Sequence, residues 1–241
     1  MNSMLKVDAR RAFGTPMLWI MALIAFAMPV LILVMTTMNG GEGLGFANTW
    51  DIIAQESSAM SLGMDMTAMM NINLMYFMVG VFVCLFVAED FRSGYTKNLF
   101  TVHAKKGGYV ASKTVIGFIA GAVFLLAFFF GAIVGGAAAG LSFDLGSAGV
   151  AGLVMCMLAK ISLMLVFVAV FTLMAVFGKG RSWLSICLSL FGGMLLFMMI
   201  PMLTPLDSGV MNLGMCLAGG AIFSVAIGAV SNLVLSKTSL V

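Results

Sequence analysis

Six apolar runs dominate this chain and leave it few ways to fold. Met17–Met38, Met69–Ala88, Thr114–Ala138, Val150–Phe177, Trp183–Leu203 and Asn212–Leu235 are 22, 20, 25, 28, 21 and 24 residues long. Between them they hold a single charged residue, Lys160. About 20 mostly apolar residues cross roughly 30 Å of hydrocarbon as a helix. Lipid offers the backbone no hydrogen-bond partners, and no alternating barrel pattern is visible, so each run is expected to be helical. The predicted fold is an all-α integral membrane protein with six transmembrane helices, one domain over residues 1–241. Residues 1–16 read as an interfacial segment, 39–68 as an extracellular loop and 89–113 as a cytoplasmic loop.

Composition agrees. The chain is 62% hydrophobic and 9% charged, where soluble domains have about 45–50% and about 25%. A net charge of +3 lacks the broad basic footprint of a nucleic-acid binder. No piece outside the apolar runs is long enough for a soluble catalytic domain.

Basic residues set the expected orientation. Lys6, Arg10 and Arg11 precede the first run, and Arg92, Lys97, Lys105, Lys106 and Lys113 fall between the second and third. Lys179 and Arg181 lie between the fourth and fifth, and Lys237 follows the sixth. By the positive-inside rule these pieces are cytoplasmic, both termini included. Glu42, Asp51, Glu56, Asp65, Asp144 and Asp207 fall outside. The first run is too long for a signal peptide's apolar core and lacks a small-residue cleavage site, so it is expected to remain as a span.

Searches for catalytic chemistry fail. There is no GxxxxGK[ST] phosphate loop and no HExxH. The one histidine, His103, sits in a loop, away from any intramembrane metal or Ser/His site. Cys84, Cys156, Cys187 and Cys216 lie in apolar runs without a CxxC pair, as small hydrophobic filler would. Glycine pairs four residues apart in the third run, such as Gly117 with Gly121 and Gly131 with Gly135, allow close helix approach, within the chain or between subunits. Pro29 and Pro201 are expected to kink their helices.

The informative segment is Glu89–Lys113, EDFRSGYTKNLFTVHAKKGGYVASK. Glu89 and Asp90 end the second run at the water boundary, Phe91–Gly94 make a turn, and Thr96–Val102 form a short interfacial helix. A plain positive-inside loop explains the lysines but not the ordered acid–aromatic–Arg–Ser–Gly turn.

This segment resembles the loop after the second span of type-2 ABC transporter permeases, the short six-span exporter subunits. Asp90, Phe91, Arg92, Ser93, Gly94, Lys97, Asn98 and Leu99 match that pattern in order, and Lys113 matches the basic residue that restarts the helix. Tyr95 and Thr96 depart from it, where Thr and an aliphatic residue are usual. The segment MLKVDARRAFGTPMLW is similar to the family's N-terminal interfacial stretch. The resemblance implies an export permease that pairs with a second copy or a related permease. Cytoplasmic ABC ATPase subunits, which hold ATP and Mg, would dock against Glu89–Leu99. Short members of the family often protect bacteria against lantibiotics, bacitracin-like peptides or other amphiphiles, so antimicrobial peptide resistance is the implied role.

Two features stand apart. A lysine at mid-span costs roughly 2.5–3.5 kcal/mol on insertion scales. Lys160 therefore either snorkels outward to the headgroups, the reading its long run favours, or faces a translocation path. Met60, Met64, Met66 and Met69 could pass soft Cu(I), but this chain uses methionine freely as apolar filler. The competing functions are a secondary transporter or channel without an ATPase, and a methionine-lined copper permease. A secondary transporter usually shows internal repeats and mid-membrane ionisable groups; only Lys160 qualifies.

Overall fold

The computed structural model describes residues 2–38, 46, 48–53, 71–101, 106–146, 148–198 and 200–237. Met60, Met64, Met66 and Met69, together with His103 and Lys105, lie outside the described residues. Helix α1 (Asn2–Gly14) leads into α2 (Pro16–Met38). After a 3-10 turn at Thr49–Ile52 come α3 (Leu74–Arg92), α4 (Tyr95–Thr101) and α5 (Lys106–Ala139). Then follow α6 (Gly149–Gly178), α7 (Ser182–Phe197), α8 (Ile200–Leu203) and α9 (Val210–Lys237). Helices α2, α3, α5, α6 and α9 are long and apolar enough to cross a membrane.

The fifth run is not one continuous helix. It divides into α7 and the four-residue α8. At 16 residues, α7 is about 24 Å long, short of the hydrocarbon thickness on its own. Pro201, in the first turn of α8, has no N–H to continue the hydrogen-bond ladder of α7. Pro29, by contrast, lies inside an unbroken α2. The third run starts at Lys106, earlier than expected, because Lys106 and Lys113 both find partners in the fold. Lys106 Nζ donates to the Leu235 carbonyl at 3.1 Å, tying the start of α5 to the end of α9.

Large aromatic side chains fill the space between α3, α5 and α6. Tyr76, Phe82, Phe124, Phe128, Phe167 and Phe171 are fully buried. The Tyr76 and Phe167 rings pack 4.5 Å apart, and Phe82 meets Phe124 edge-on at 6.0 Å. Glycines let the helices approach closely. A Cβ at Gly135 would sit 2.8 Å from the Cα of Val30, and one at Gly131 2.8 Å from Pro29 Cγ. At Gly117 and Gly121 it would press on Val168 and Met164. The glycine spacing of α5 thus serves packing inside the chain against α2, α3 and α6.

At one end of α5, Thr49 N–H donates to the Ser142 carbonyl at 3.0 Å and Trp50 stacks on Phe129. The opposite end gathers α1, α4, the start of α5 and the ends of α3, α6 and α9, together with the basic residues Arg92, Lys97, Lys179, Arg181 and Lys237.

Replacing Gly135 by Leu should force α2 from α5 and destabilise the chain by about 1–3 kcal/mol, the usual cost of overpacking. Gly214→Leu, where a side chain meets nothing within 4 Å, should change little. Unfolding of both variants by sodium dodecyl sulfate in dodecyl maltoside micelles measures the difference.

Candidate functional site

Consecutive residues at the end of α3 point in different directions, because each helical residue turns the side chain by about 100°. Glu89 is exposed while Asp90 is fully buried. Helix α3 continues through Phe91 and Arg92, so these residues end a helix instead of forming the expected turn. The turn itself is Ser93–Gly94, with Gly94 at φ +72°. That left-handed backbone angle suits glycine and strains a β-branched residue.

Helix α4 lies across the end of the bundle. Its Phe100 ring meets Tyr109 at 5.8 Å, and Leu99 packs on the small cluster of Tyr109, Val110, Val176 and Leu235. Thr96 is buried. Lys97 and Asn98 face out, as do Glu89, Arg92 and Ser93. Half-buried Phe91 sits against the α6–α7 turn, where a Cβ on Gly180 would approach its Cβ to 3.0 Å. The nine residues nominated from the sequence therefore separate into two groups. Glu89, Arg92, Ser93, Lys97 and Asn98 form an exposed polar crest. Asp90, Phe91 and Leu99 hold it down, with Gly94 as the pivot.

What lies beneath Asp90 was not anticipated. Four charged side chains from three helices converge there. Lys113 Nζ of α5 lies 2.6 Å from Asp90 Oδ2 and 2.8 Å from Asp8 Oδ1 of α1. Arg11, one turn along α1, places Nη1 2.7 Å from Asp90 Oδ1, a direct charge contact outside hydrogen-bond alignment. Asp8, Asp90 and Lys113 are fully buried. Two hydroxyls add to the carboxylates: Ser112 Oγ donates to Asp8 Oδ2 at 2.6 Å, and Tyr109 Oη donates to Asp90 Oδ2 at 3.0 Å. Aromatic rings close the sides: Lys113 sits 4.3 Å from the Phe86 centroid and Arg11 4.7 Å from that of Tyr95.

Two acids meet two bases, so the cluster is neutral and its charges are paired, the condition for burying them at all. Partial burial opposes the charge on Arg11, but Asp90 and Asp8 outweigh it and hold the guanidinium above its ordinary range. Burial, helped by Asp8 and Asp90, pushes the Tyr95 phenol up. The cluster's chemistry is mechanical: it fixes α1, α3 and α5 to one another directly under α4. Asp8, Arg11 and Lys113 carry that work although they lie outside the nominated crest. Their sequence signal is that each charge borders an apolar run on the same expected side.

Lys160 lies away from this cluster and does not snorkel. Its side chain is buried, and Nζ donates to Asn73 Oδ1 at 3.1 Å and Thr204 Oγ1 at 3.0 Å. Inward partners at the start of α3 and just after α8 outcompete the reach to the surface. Among the described residues no group of three His, Cys, Asp or Glu is placed to hold a metal ion.

A helical bundle of long apolar helices, with its charges paired at one end beneath an exposed polar crest, defines a multi-pass membrane protein. Residues 14–196 match the ABC-2 family transporter protein family. The chain belongs to that family and is an ABC transporter membrane subunit. No curated protein and no solved structure matches it.

Removing one member of a buried charge set leaves the others unpaired and costs about 3–5 kcal/mol. Lys113→Met should reach that range. Adding Asp8→Asn should cost less than the sum of the single changes, because the two side chains share one contact. A double-mutant cycle on detergent unfolding checks both statements.

Proposed function

We propose that the chain is the permease of an ATP-driven exporter, moving a peptide or other amphiphile out of the membrane or the cell. The basic end is cytoplasmic. Two permease subunits, identical or related, form the pathway, and two ABC ATPase subunits, which hold ATP and Mg, dock on the crest of Glu89, Arg92, Ser93, Lys97 and Asn98. Resistance to an antimicrobial peptide is the physiological role that fits a permease of this size.

The observation that carries this reading is the combination of an outward-facing polar crest with a locked base. A docking helix transmits force only if it cannot slide on the bundle, and the pairing of Asp90 with Lys113 and Arg11 supplies that lock. Arg92 offers a planar fork to a carboxylate on the ATPase, a geometry lysine lacks. Closure of the ATPases would then shift the ends of α3 and α5 as a rigid body.

A photo-crosslinking residue at Lys97 should capture an ATP-binding-cassette polypeptide, and one at Asp207 should not. Arg92→Ala should weaken ATPase association on the order of tenfold, about 1.4 kcal/mol, with insertion intact. Gly94→Val should strain the crest by about 1–2 kcal/mol and lower ATP turnover in the complex. Normal docking and turnover in both variants would refute the assignment.

A further inference from the structure

Among the described residues Lys160 is the one buried cation outside the charge cluster, and its surroundings differ in kind. Among the described residues no carboxylate pairs with it. Its two acceptors, Asn73 Oδ1 and Thr204 Oγ1, are neutral, and they use two of the three N–H donors of an ammonium. Holding two neutral acceptors does not require a charge, and a neutral amide would do it without the roughly 2.5–3.5 kcal/mol that a mid-span lysine costs. The charge becomes useful only when an anion arrives.

Thr204, which caps the Lys160 amine, lies in a short, interrupted stretch of the chain. Thr204 directly follows α8, the four-residue helix separated from α7 by residues 198–199 and from α9 by the stretch Thr204–Gly209, which contains Pro205. Ile200 anchors α8 in the core and Thr204 closes on the Ile200 carbonyl, while the thiols of Cys216 and Cys156 make long contacts of 3.6 Å to the Leu203 and Thr204 carbonyls. The outer flank is apolar and adaptable, with Met198, Met202 and Met211 each more than two-thirds exposed. Methionine, unbranched and polarisable, suits surfaces that accommodate varied apolar chains.

We propose that Lys160, with Asn73 and Thr204, forms an occluded site for the anionic head group of a single-chain amphiphile, opened when α8 swings away, with the methionine flank of α8 and α9 carrying the tail. The inference deepens the exporter reading by naming a substrate class, and it is tested on the chain alone, so that its failure leaves the ATPase assignment standing. In the closed state Thr204 and Asn73 occupy the amine. An incoming phosphate or carboxylate replaces both acceptors and supplies an opposite charge that none of the described residues provides.

The probe is a dodecyl phosphate bearing a diazirine in its chain, applied to the full chain in phosphatidylcholine nanodiscs. Labelling should map to residues 198–211 and should be competed by plain dodecyl phosphate but not by dodecyltrimethylammonium. Lys160→Gln should reduce that labelling at least tenfold, while Lys160→Arg should retain most of it. Thr204→Val, which frees the amine from its cover, should increase it. This variant keeps the test decisive if Lys160→Gln folds poorly, because a purely structural role for Lys160 predicts lower stability and no gain in labelling. Equal competition by the cationic amphiphile, or labelling indifferent to all three substitutions, would overturn the proposal. Suppression of labelling by phosphatidylglycerol in the disc would overturn the single-chain assignment in favour of a bilayer lipid.

Discussion

The buried contact between Lys113 and the two carboxylates of Asp8 and Asp90 is the constraint on which the rest of this structure depends. Each of those charges would be costly alone in an apolar surrounding. Together with Arg11 they neutralise one another, and Ser112 and Tyr109 add a hydrogen bond to each carboxylate. The pairing requires three segments distant in sequence to meet at one point. It therefore sets the height of α1 against α3 and α5, and it decides that α4 lies over that point. The α2–α5 glycine contact then brings the first span along, because α2 leaves α1 after a single residue.

The two buried lysines show how differently the same side chain can be used. Lys113 is held by full opposite charges at an end of the bundle, which makes a fixed joint. Lys160 is held by an amide and a hydroxyl beside a broken helix, which makes a joint that can be exchanged for a stronger one. One stiffens the end that carries α4, and the other lies beside the four-residue α8.

Much of this was legible in the sequence. Run length against hydrocarbon thickness located α2, α3, α5, α6 and α9 to within a few residues at most ends, because the membrane constraint acts on each run separately. The short helix expected at Thr96–Val102 appears as Tyr95–Thr101, and the glycine at 94 has the positive φ that its place in the turn suggested. The early start of α5 was not legible, since Lys106 and Lys113 look like loop residues until Leu235, Asp8 and Asp90 are placed beside them. The break before Pro201 was read as a kink only, because a proline's effect depends on whether neighbours hold the helix together. Lys160 was expected to reach outward for the same reason: Asn73 and Thr204 lie far from it in sequence. Pairwise contacts between distant segments carry no periodic signal in one chain. Asp8 and Arg11 lie outside the family match; the likeness of the N-terminal stretch marked their segment as interfacial without pairing them to Asp90 and Lys113.

The central claim is that the charge cluster makes α1 and the crest helix one mechanical unit. Spin labels at the exposed positions Lys6 and Lys97 report it directly, through electron–electron resonance distances in the complete transporter complex with and without ATP. The account predicts the same narrow distance distribution in both states, and a broadened one in Lys113→Met. A nucleotide-dependent displacement approaching one helical turn, about 5.4 Å, in the unaltered chain would contradict it.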